Sequence, residues 1–392
     1  MIFHTTSRRP VLLVGNGVRQ AGACELLQQF ADKTDIPVLT TMNAVDLAQD
    51  ELHLGFIGVY GNRVANMILN AADLVISIGA RLSLRQIGNK PEYFAPKAKL
   101  IRADIDQYEL SRYIKQDEEK YLNDAKEFLE KLMTEDIPKY TDWRTACFKA
   151  KKLLESVDAV EGNFCVKKIS SLLSENPIVA VDVGQNQCWS AQSFELKGHE
   201  GRLLIGGGYG SMGCALPYAI GASIATNKGV VFCITGDGGL QMNIQELQTV
   251  VREKLPIKIL VLNNHALGKI SEVQAGSYAG RYAQTTADSG YTVPDFSKIA
   301  NAYGIKSETL KSYEDMDGYK GWFTDDEPCL IDIPLSENTK LIPKVNWNEK
   351  EIRPAINETI EKRVLCILNK EEDETVNTGI SIPNLRLGAV QI

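Results

Sequence analysis

The chain has 392 residues, of which 44% are apolar and 24% charged, with a formal net charge of −7. That length suits two domains with material for two cores, and the acidic balance, with a pI near 5.4, leaves no electrostatic footprint for nucleic acid. No window approaches the roughly 18 continuous apolar residues of a membrane span, the opening MIFHTTSRRPVLLVG leads into a strand and not a signal peptide, and eight cysteines scattered without a CxxC spacing imply reduced thiols in a cytoplasmic protein.

PVLLV (10–14) is a short apolar run followed by GNG and a helix-like VRQAGACELLQQFADKT; IPVLTT (36–41), ADLVISIGA (72–80) and AKLIRADID (98–106) repeat the theme of buried strand, small-residue turn and helix. Strands alternating with helices predict an α/β fold with a parallel sheet covered on both faces. From about 107 to 160 the chain turns charged and helical, which reads as a peripheral helix and an interdomain connection. A second α/β series follows with NPIVAVDVG (176–184), GVVFCITGDGG (229–239), PIKILVLNN (256–264) and PCLIDIPL (328–335). The tail after about 345 loses the strand–helix rhythm; its middle fits one amphipathic helix and its EEDET a solvated run. The expected organisation is two parallel-sheet α/β domains, a Rossmann-like one over 1–140 and a second over 160–345, with a C-terminal tail over 346–392.

The stretch GDGGLQMNIQELQTVVREKLPIKILVLNN (236–264) concentrates the chemistry. Parallel sheets bind ligands beyond the carboxyl ends of their strands. VVFCIT delivers Gly236, Asp237 and Gly238 there, and IKILVL delivers Asn263 and Asn264. The 24 residues between Gly238 and Asn263 suffice for one crossover helix, NIQELQTVVREK, so the two strand ends are expected to be neighbours. A carboxylate and an amide oxygen are hard ligands suited to Mg²⁺ shared with a phosphate. The glycines around Asp237 let backbone N–H groups approach that phosphate at a helix N-terminus. A Gly-Asp-Gly turn alone is usually a tight loop, and an Asn pair alone usually a cap; together at two strand ends they point to a metal-bridged diphosphate site.

This stretch resembles the thiamine diphosphate motif of the family that contains acetolactate synthase and pyruvate oxidase. VDVGQNQCWSAQ (181–192) resembles the segment of the synthases that grips the diphosphate, and GGGYGSMGCALPYAIGA (206–222) the one that sets a bulky residue under the cofactor. LGFIGVYGNRVANMILNAADLVISIGARL (54–82) and FAPKAKLIRADID (94–106) resemble their central domain. The resemblance implies that Asp237, the Asn264 side chain and the Ala266 carbonyl hold Mg²⁺. It implies contacts to thiamine diphosphate from Gln185 and Asn186, the latter standing where a His is usual, and from Gly236, Gly238, Gly239 and Gly268. Met212 would wedge beneath the cofactor, although a methionine in isolation is more often a filler of core gaps. His265 reads as a neighbour of the metal and not as an acid or base, and His4, His53 and His199 lack a supporting constellation.

In that family the cofactor serves as electron sink while a 2-oxo acid loses carbon dioxide, and the glutamate that activates it lies on an N-terminal pyrimidine-binding domain. The resemblance begins at the central domain, so no catalytic residue is assigned to this chain. The pyrimidine-binding surface is expected on a separate polypeptide or a second protomer of a homo-oligomer, with no nucleic-acid or membrane partner. The expected function is the diphosphate-binding subunit or fragment of an acetolactate synthase-like enzyme that decarboxylates a 2-oxo acid and transfers an acyl-carbanion equivalent to a carbonyl acceptor. The alternative is a truncated, non-catalytic homologue acting as a metal- and nucleotide-binding or scaffold protein. A simple NAD-dependent oxidoreductase leaves the GDG–NN pair unexplained.

The pattern departs from acetolactate synthases at Lys269 and Ile270, where Met-Val is usual, at Val273, where a Trp falls, and at Ser83-Leu84, where an acidic pair is usual. A related carboligase or decarboxylase of pyruvate or a larger 2-oxo acid, in sugar or polysaccharide metabolism, therefore stays as open as acetolactate formation. VLLVGNG alone is a weak dinucleotide signal, lacking the third glycine at its usual place. The resemblance adds FAD as a possible cofactor, held by Gly15, Gly17, Gly58, Gly61, Gly79, Arg81 and Asp104.

Overall fold

The computed structural model describes residues 6–47, 53–155, 157–198 and 200–369. One sheet holds β1 (Pro10–Val14), β2 (Val38–Thr40), β3 (His53–Phe56), β4 (Leu74–Ile78), β5 (Lys99–Asp104) and β6 (Glu118–Leu122), all parallel, in the order β3-β2-β1-β4-β5-β6. The other holds β7 (Ile178–Val181), β8 (Arg202–Ile205), β9 (Val231–Gly236), β10 (Ile257–Asn263), β11 (Lys306–Thr309) and β12 (Cys329–Pro334), also parallel, in the order β11-β12-β10-β9-β7-β8. The predicted pair of parallel α/β units is therefore the observed architecture. Each sheet has a topological switch point where neighbouring loops part and leave a crevice. In the first it lies between β1 and β4, in the second between β7 and β9.

All eight strands predicted from apolar runs are present; the unpredicted strands of these two sheets are their four edges, β3, β6, β8 and β11, and a short antiparallel pair, Lys344–Val345 with Ile352–Arg353, was not predicted either. The central β10 is buried at every position, whereas no residue of β6 (EEKYL) or β11 (KSET) is buried. An edge strand has one neighbour and can carry charges that blunt further pairing, so its sequence lacks the continuous apolar run that betrays a central strand.

The stretch 107–160 is correspondingly more than a peripheral helix and a connection. It supplies β6, whose Glu118 pairs with the buried Arg102 at 3.1 Å, and the helices Ala125–Met133 and Thr141–Leu154. The second of these sinks Trp143, Cys147, Ala150 and Leu154 into the first core, and Trp143 Nε1 donates to the Pro10 carbonyl at 3.0 Å. The helix expected in the tail spans Glu358–Asn369 and returns to this same core through Val364 and Leu368. EEDET (371–375), His4 and His199 lie outside the described residues. Among those described, no helix is long and apolar enough to cross a membrane.

Buried polar contacts hold the connection and the tail to the first unit and tie that unit to the second sheet. Arg63 holds both carboxylate oxygens of Asp158, at 2.9 and 2.7 Å, and donates to the carbonyls of Ile352 and Pro354 at 3.2 and 2.6 Å. The buried Asp46 accepts from Arg19 at 2.9 Å and from the Leu203 N–H at 3.0 Å, tying the β2–β3 connection to β8. Such geometry contributes placement more than net stability, because desolvation offsets the attraction of buried ion pairs.

Candidate functional site

β9 and β10 are hydrogen-bonded neighbours with Leu262 opposite Gly236, so Asp237 and Asn264 leave adjacent strand ends as the spacing requires. The connection between them is not one helix. It breaks into the helix Asp237–Met242, a 3₁₀ turn over Ile244–Glu246 and the helix Leu247–Glu253. The break falls at Asn243, whose backbone leaves the helical region (φ −134°, ψ 30°) while its side chain donates to the Gly213 carbonyl at 2.8 Å. Side-chain bonding of this kind competes with helix continuation.

Asp237 is only 2% exposed. Its Oδ1 accepts from the Gly238 N–H at 2.6 Å and the Tyr291 hydroxyl at 3.2 Å, and its Oδ2 accepts from the Ala266 N–H at 3.2 Å. Burial pushes the carboxyl up to about 6 despite these donors. Among the described residues no Lys or Arg forms an ion pair with it. Ala266 thus stands beside Asp237, presenting its N–H in this structure.

The two asparagines divide their labour. Asn263 donates to Asp332 at 3.0 Å and accepts from the His265 N–H at 3.2 Å, a purely structural engagement. Asn264 donates to Gln185 Oε1 at 3.0 Å, which leaves its own oxygen free to coordinate. Gln185 in turn donates to Glu272 at 2.7 Å and to the Thr339 carbonyl at 3.2 Å, so it orients Asn264. His265 is exposed, with a left-handed backbone (φ 53°) that turns the chain after β10. His53 opens the edge strand β3, half-buried: Thr40 Oγ1 lies 3.0 Å from its Nε2, and desolvation holds its imidazole down to about 3, hence neutral.

Glycine is required where these pieces converge. A Cβ on Gly268 would overlap Gln185 Oε1, and one on Gly238 would come within 2.6 Å of Leu267 and 3.4 Å of Met212 Cε. Gly184 has φ 134°, a conformation that L side chains rarely adopt, and sits against Asn186 Oδ1. Gly236, Gly238, Gly239, Asn186 and Met212 therefore gather around Asp237 from β7, β9 and the loop after β8.

Asp182, at the end of β7, was not singled out in the sequence. It is fully buried and accepts from the N–H of Val183 at 2.8 Å, the N–H of Gly213 at 2.9 Å and Thr235 Oγ1 at 2.9 Å. Burial raises its pKa against these opposing hydrogen bonds. It pins the 211–214 loop to the switch point, so that Met212, still 40% exposed, stands at the mouth beside Gly238 and not in a core.

Between the two sheets lies a cavity of about 680 Å³. Of the residues expected to hold a flavin nucleotide, Gly17, Gly79 and Arg81 line it and the other four do not. Gly15 is pressed against the Gly79–Ala80 backbone, Gly58 exchanges two hydrogen bonds of 3.0 Å with the Asn66 side chain, Gly61 closes a turn on the Gly58 carbonyl at 2.9 Å, and Asp104 accepts from the Asp106 N–H at 2.9 Å. Gly15, Gly58 and Gly61 are thus engaged with neighbouring backbone and side chains, and Asp104 in a local turn. On the opposite wall stand Val183, Gly184, Gln187, Cys188 and Lys269.

Among the described residues no three His, Cys, Asp or Glu side chains gather as a metal site. An ion at Asp237 would rest on one carboxylate, an amide oxygen, backbone carbonyls and oxygens of a bound ligand, the donor set that suits Mg²⁺.

Residues 182–333 match the family model described as thiamine pyrophosphate enzyme, C-terminal TPP binding domain, and residues 5–132 match the central domain of the same enzymes. The acetolactate synthase large subunit of Lactococcus lactis is 32% identical over 350 residues, covering 87% of this chain and 60% of that one. A probable acetolactate synthase large subunit of Methanocaldococcus jannaschii is 34% identical over 357 residues, 86% of this chain and 59% of that one. Acetolactate synthase isozyme 2 large subunit of Escherichia coli is 31% identical over 347 residues, 86% and 62% respectively. The chain thus spans about three-fifths of the length of the curated relatives it matches.

Proposed function

The chain belongs to the thiamine pyrophosphate enzyme family, and from that premise we propose that it supplies the diphosphate-and-metal surface of an acetolactate synthase-like enzyme, one that decarboxylates a 2-oxo acid and passes the remaining acyl fragment to a carbonyl acceptor. The observation that carries the reading is Asp237, a buried carboxylate at the switch point of a parallel sheet, given neutral hydrogen-bond donors but, among the described residues, no ion-paired Lys or Arg. Mg²⁺ held by Asp237, Asn264 Oδ1 and the Ala266 carbonyl would supply that charge. Gly238, Gly239 and Gly268 let Leu267, Asp182 and Gln185 close in around that position, and Gly236 faces Asn186 in the same crevice, where diphosphate oxygens would lie.

Thiamine diphosphate, when bound, supplies a nucleophilic carbon and an electron sink. The protein's own part is positioning. Gln185 fixes the Asn264 amide, Asp182 fixes the loop that carries Met212, and the closed walls around Asp237 exclude water, which strengthens each electrostatic contact.

The exposed Met212, Tyr209, Tyr218 and Met242 on this face support a covering surface from a second polypeptide or protomer. The relatives' designation as large subunits is in keeping with that. The eight free thiols support a reducing, cytoplasmic compartment. FAD is the narrower part of the proposal, supported by Gly17, Gly79 and Arg81 on the cavity wall; flavin absorbance retained after incubation and desalting tests it. The main test is calorimetry of thiamine diphosphate binding with and without Mg²⁺. The wild-type chain is expected to bind only with the metal, and Asp237→Ala to lose that binding; equal affinity in the variant would sink the assignment.

A further inference from the structure

We propose that Lys269 is the recognition residue for an anionic group, a carboxylate or a phosphate, on the substrate that enters the interdomain cavity. The inference deepens the functional reading above and relies on it for where the chemistry occurs, but the anion contact itself stands on the cavity alone.

Lys269 is the second residue of the helix Gly268–Ser277, whose first residue abuts Gln185 Oε1. The same close packing that orients Asn264 therefore sets a cation at the edge of the diphosphate site. The Lys269 Nζ is buried and meets no hydrogen-bond acceptor among the described residues. It lies 3.0 Å from the ring centroid of Tyr60, which comes from the other half of the molecule. Glu272, on the same helix, acts on the amine electrostatically but forms no ion pair with it among the described residues, and its Oε1 is taken by Gln185 at 2.7 Å and the Leu341 N–H at 2.8 Å.

Among the described residues, the cavity that Lys269 and Tyr60 line has four cationic side chains, Arg81, Arg85, Arg112 and Lys269, and no Asp or Glu. Arg81 and Arg112 already share Glu109, at 2.6 and 2.7 Å. Lys269 meets an aromatic face and, among the described residues, no hydrogen-bonded or ion-paired partner. A cation–π contact compensates part of the cost of removing an ammonium from water, yet a buried charge is normally paired as well as hydrogen-bonded. Burial pushes the amine down to about 8, so it remains mostly charged at neutral pH. What the amine lacks is a directly bonded anion, and the cavity provides the room for a ligand to bring one.

The test uses the full chain without thiamine diphosphate and follows binding by calorimetry. The probes are 2-oxoglutarate for the carboxylate arm, glyceraldehyde 3-phosphate for the phosphate arm, and glyceraldehyde as the uncharged control. At least one anionic probe is expected to bind about tenfold or more tighter than glyceraldehyde, and that advantage to disappear in Lys269→Met while Lys269→Arg keeps most of it. Which arm responds identifies the anion. The Lys269→Met chain should melt no lower than wild type, because it loses a buried charge and no hydrogen bond. Equal binding of all three probes, or full retention of the anionic preference in Lys269→Met, would overturn the proposal. So would a loss of FAD affinity in Lys269→Met with the other probes unaffected, since the amine would then read a nucleotide phosphate. Thiamine diphosphate affinity, measured separately with Mg²⁺, is expected to be the same in wild type and Lys269→Met. If the cofactor fails to bind even the wild type, the functional reading fails and the anion result still stands on its own.

Discussion

The buried carboxylate of Asp237 should make the metal-free protein less stable than it need be. Its pKa rises from 3.8 in the unfolded chain to about 6 in the fold. Between those values the native state keeps a proton that the unfolded chain has released, so stability falls as pH rises through this window and the full penalty stands at neutrality. At about 1.4 kcal/mol per pH unit the interval corresponds to roughly 3 kcal/mol. Asp237→Asn removes the charge while keeping one acceptor. Three donors now converge on the carboxylate, from Gly238, Ala266 and Tyr291, so the new amide NH₂ must face at least one of them. That mismatch costs about 1–2 kcal/mol. The net expectation at neutral pH in EDTA is a gain of about 1–2 kcal/mol, or roughly 2–8 °C in Tm for a domain of this size. The gain should vanish near pH 4, where wild-type Asp237 is itself protonated. Calorimetric melts of both proteins from acid to neutral pH, in EDTA and then with Mg²⁺ and thiamine diphosphate, measure all of this. Wild type alone should be stabilised by the additions. A variant that melts below wild type in EDTA at neutral pH, or one that still responds to Mg²⁺ and cofactor, would refute the reasoning.

Gly268→Ala should leave secondary structure unchanged by circular dichroism but weaken Mg²⁺-dependent thiamine diphosphate binding by about tenfold or more, because its Cβ overlaps Gln185 Oε1 and lies 3.0 Å from Asn264 Nδ2. Asp182→Ala strands the Val183 and Gly213 N–H groups and the Thr235 hydroxyl in the core; denaturant unfolding should show a loss of about 3–5 kcal/mol, and Asp182→Asn a smaller one. Arg63→Met leaves Asp158 and two carbonyls without their shared donor and should cost about 3–5 kcal/mol in the same assay.

What could be read in the sequence was whatever local pattern encodes. Continuous apolar runs specify strands covered on both faces, and every such run became a central strand. Asp237 and Asn264 could be brought together in advance because one crossover between parallel neighbours leaves little choice about where two strand ends lie. The edge strands were hidden, since a strand with one neighbour and a wet face carries no burial signal: β6 reads as charge and β11 as loop.

The rest depends on residues distant in sequence that packing makes adjacent. Nothing around Asp182 announces that its carboxylate will hold Gly213, 31 positions away. Gly15, Gly58, Gly61 and Asp104 match a nucleotide-binding pattern, yet close backbone approach and turn formation account for them, because one glycine serves a ligand or a neighbouring strand turn equally well. Lys269 was visible only as a departure from a familiar motif. That it sits unpaired on the Tyr60 ring was decided by how the two sheets dock, since a charge acquires its burial and its missing partner only when surfaces from both halves of the chain close around it.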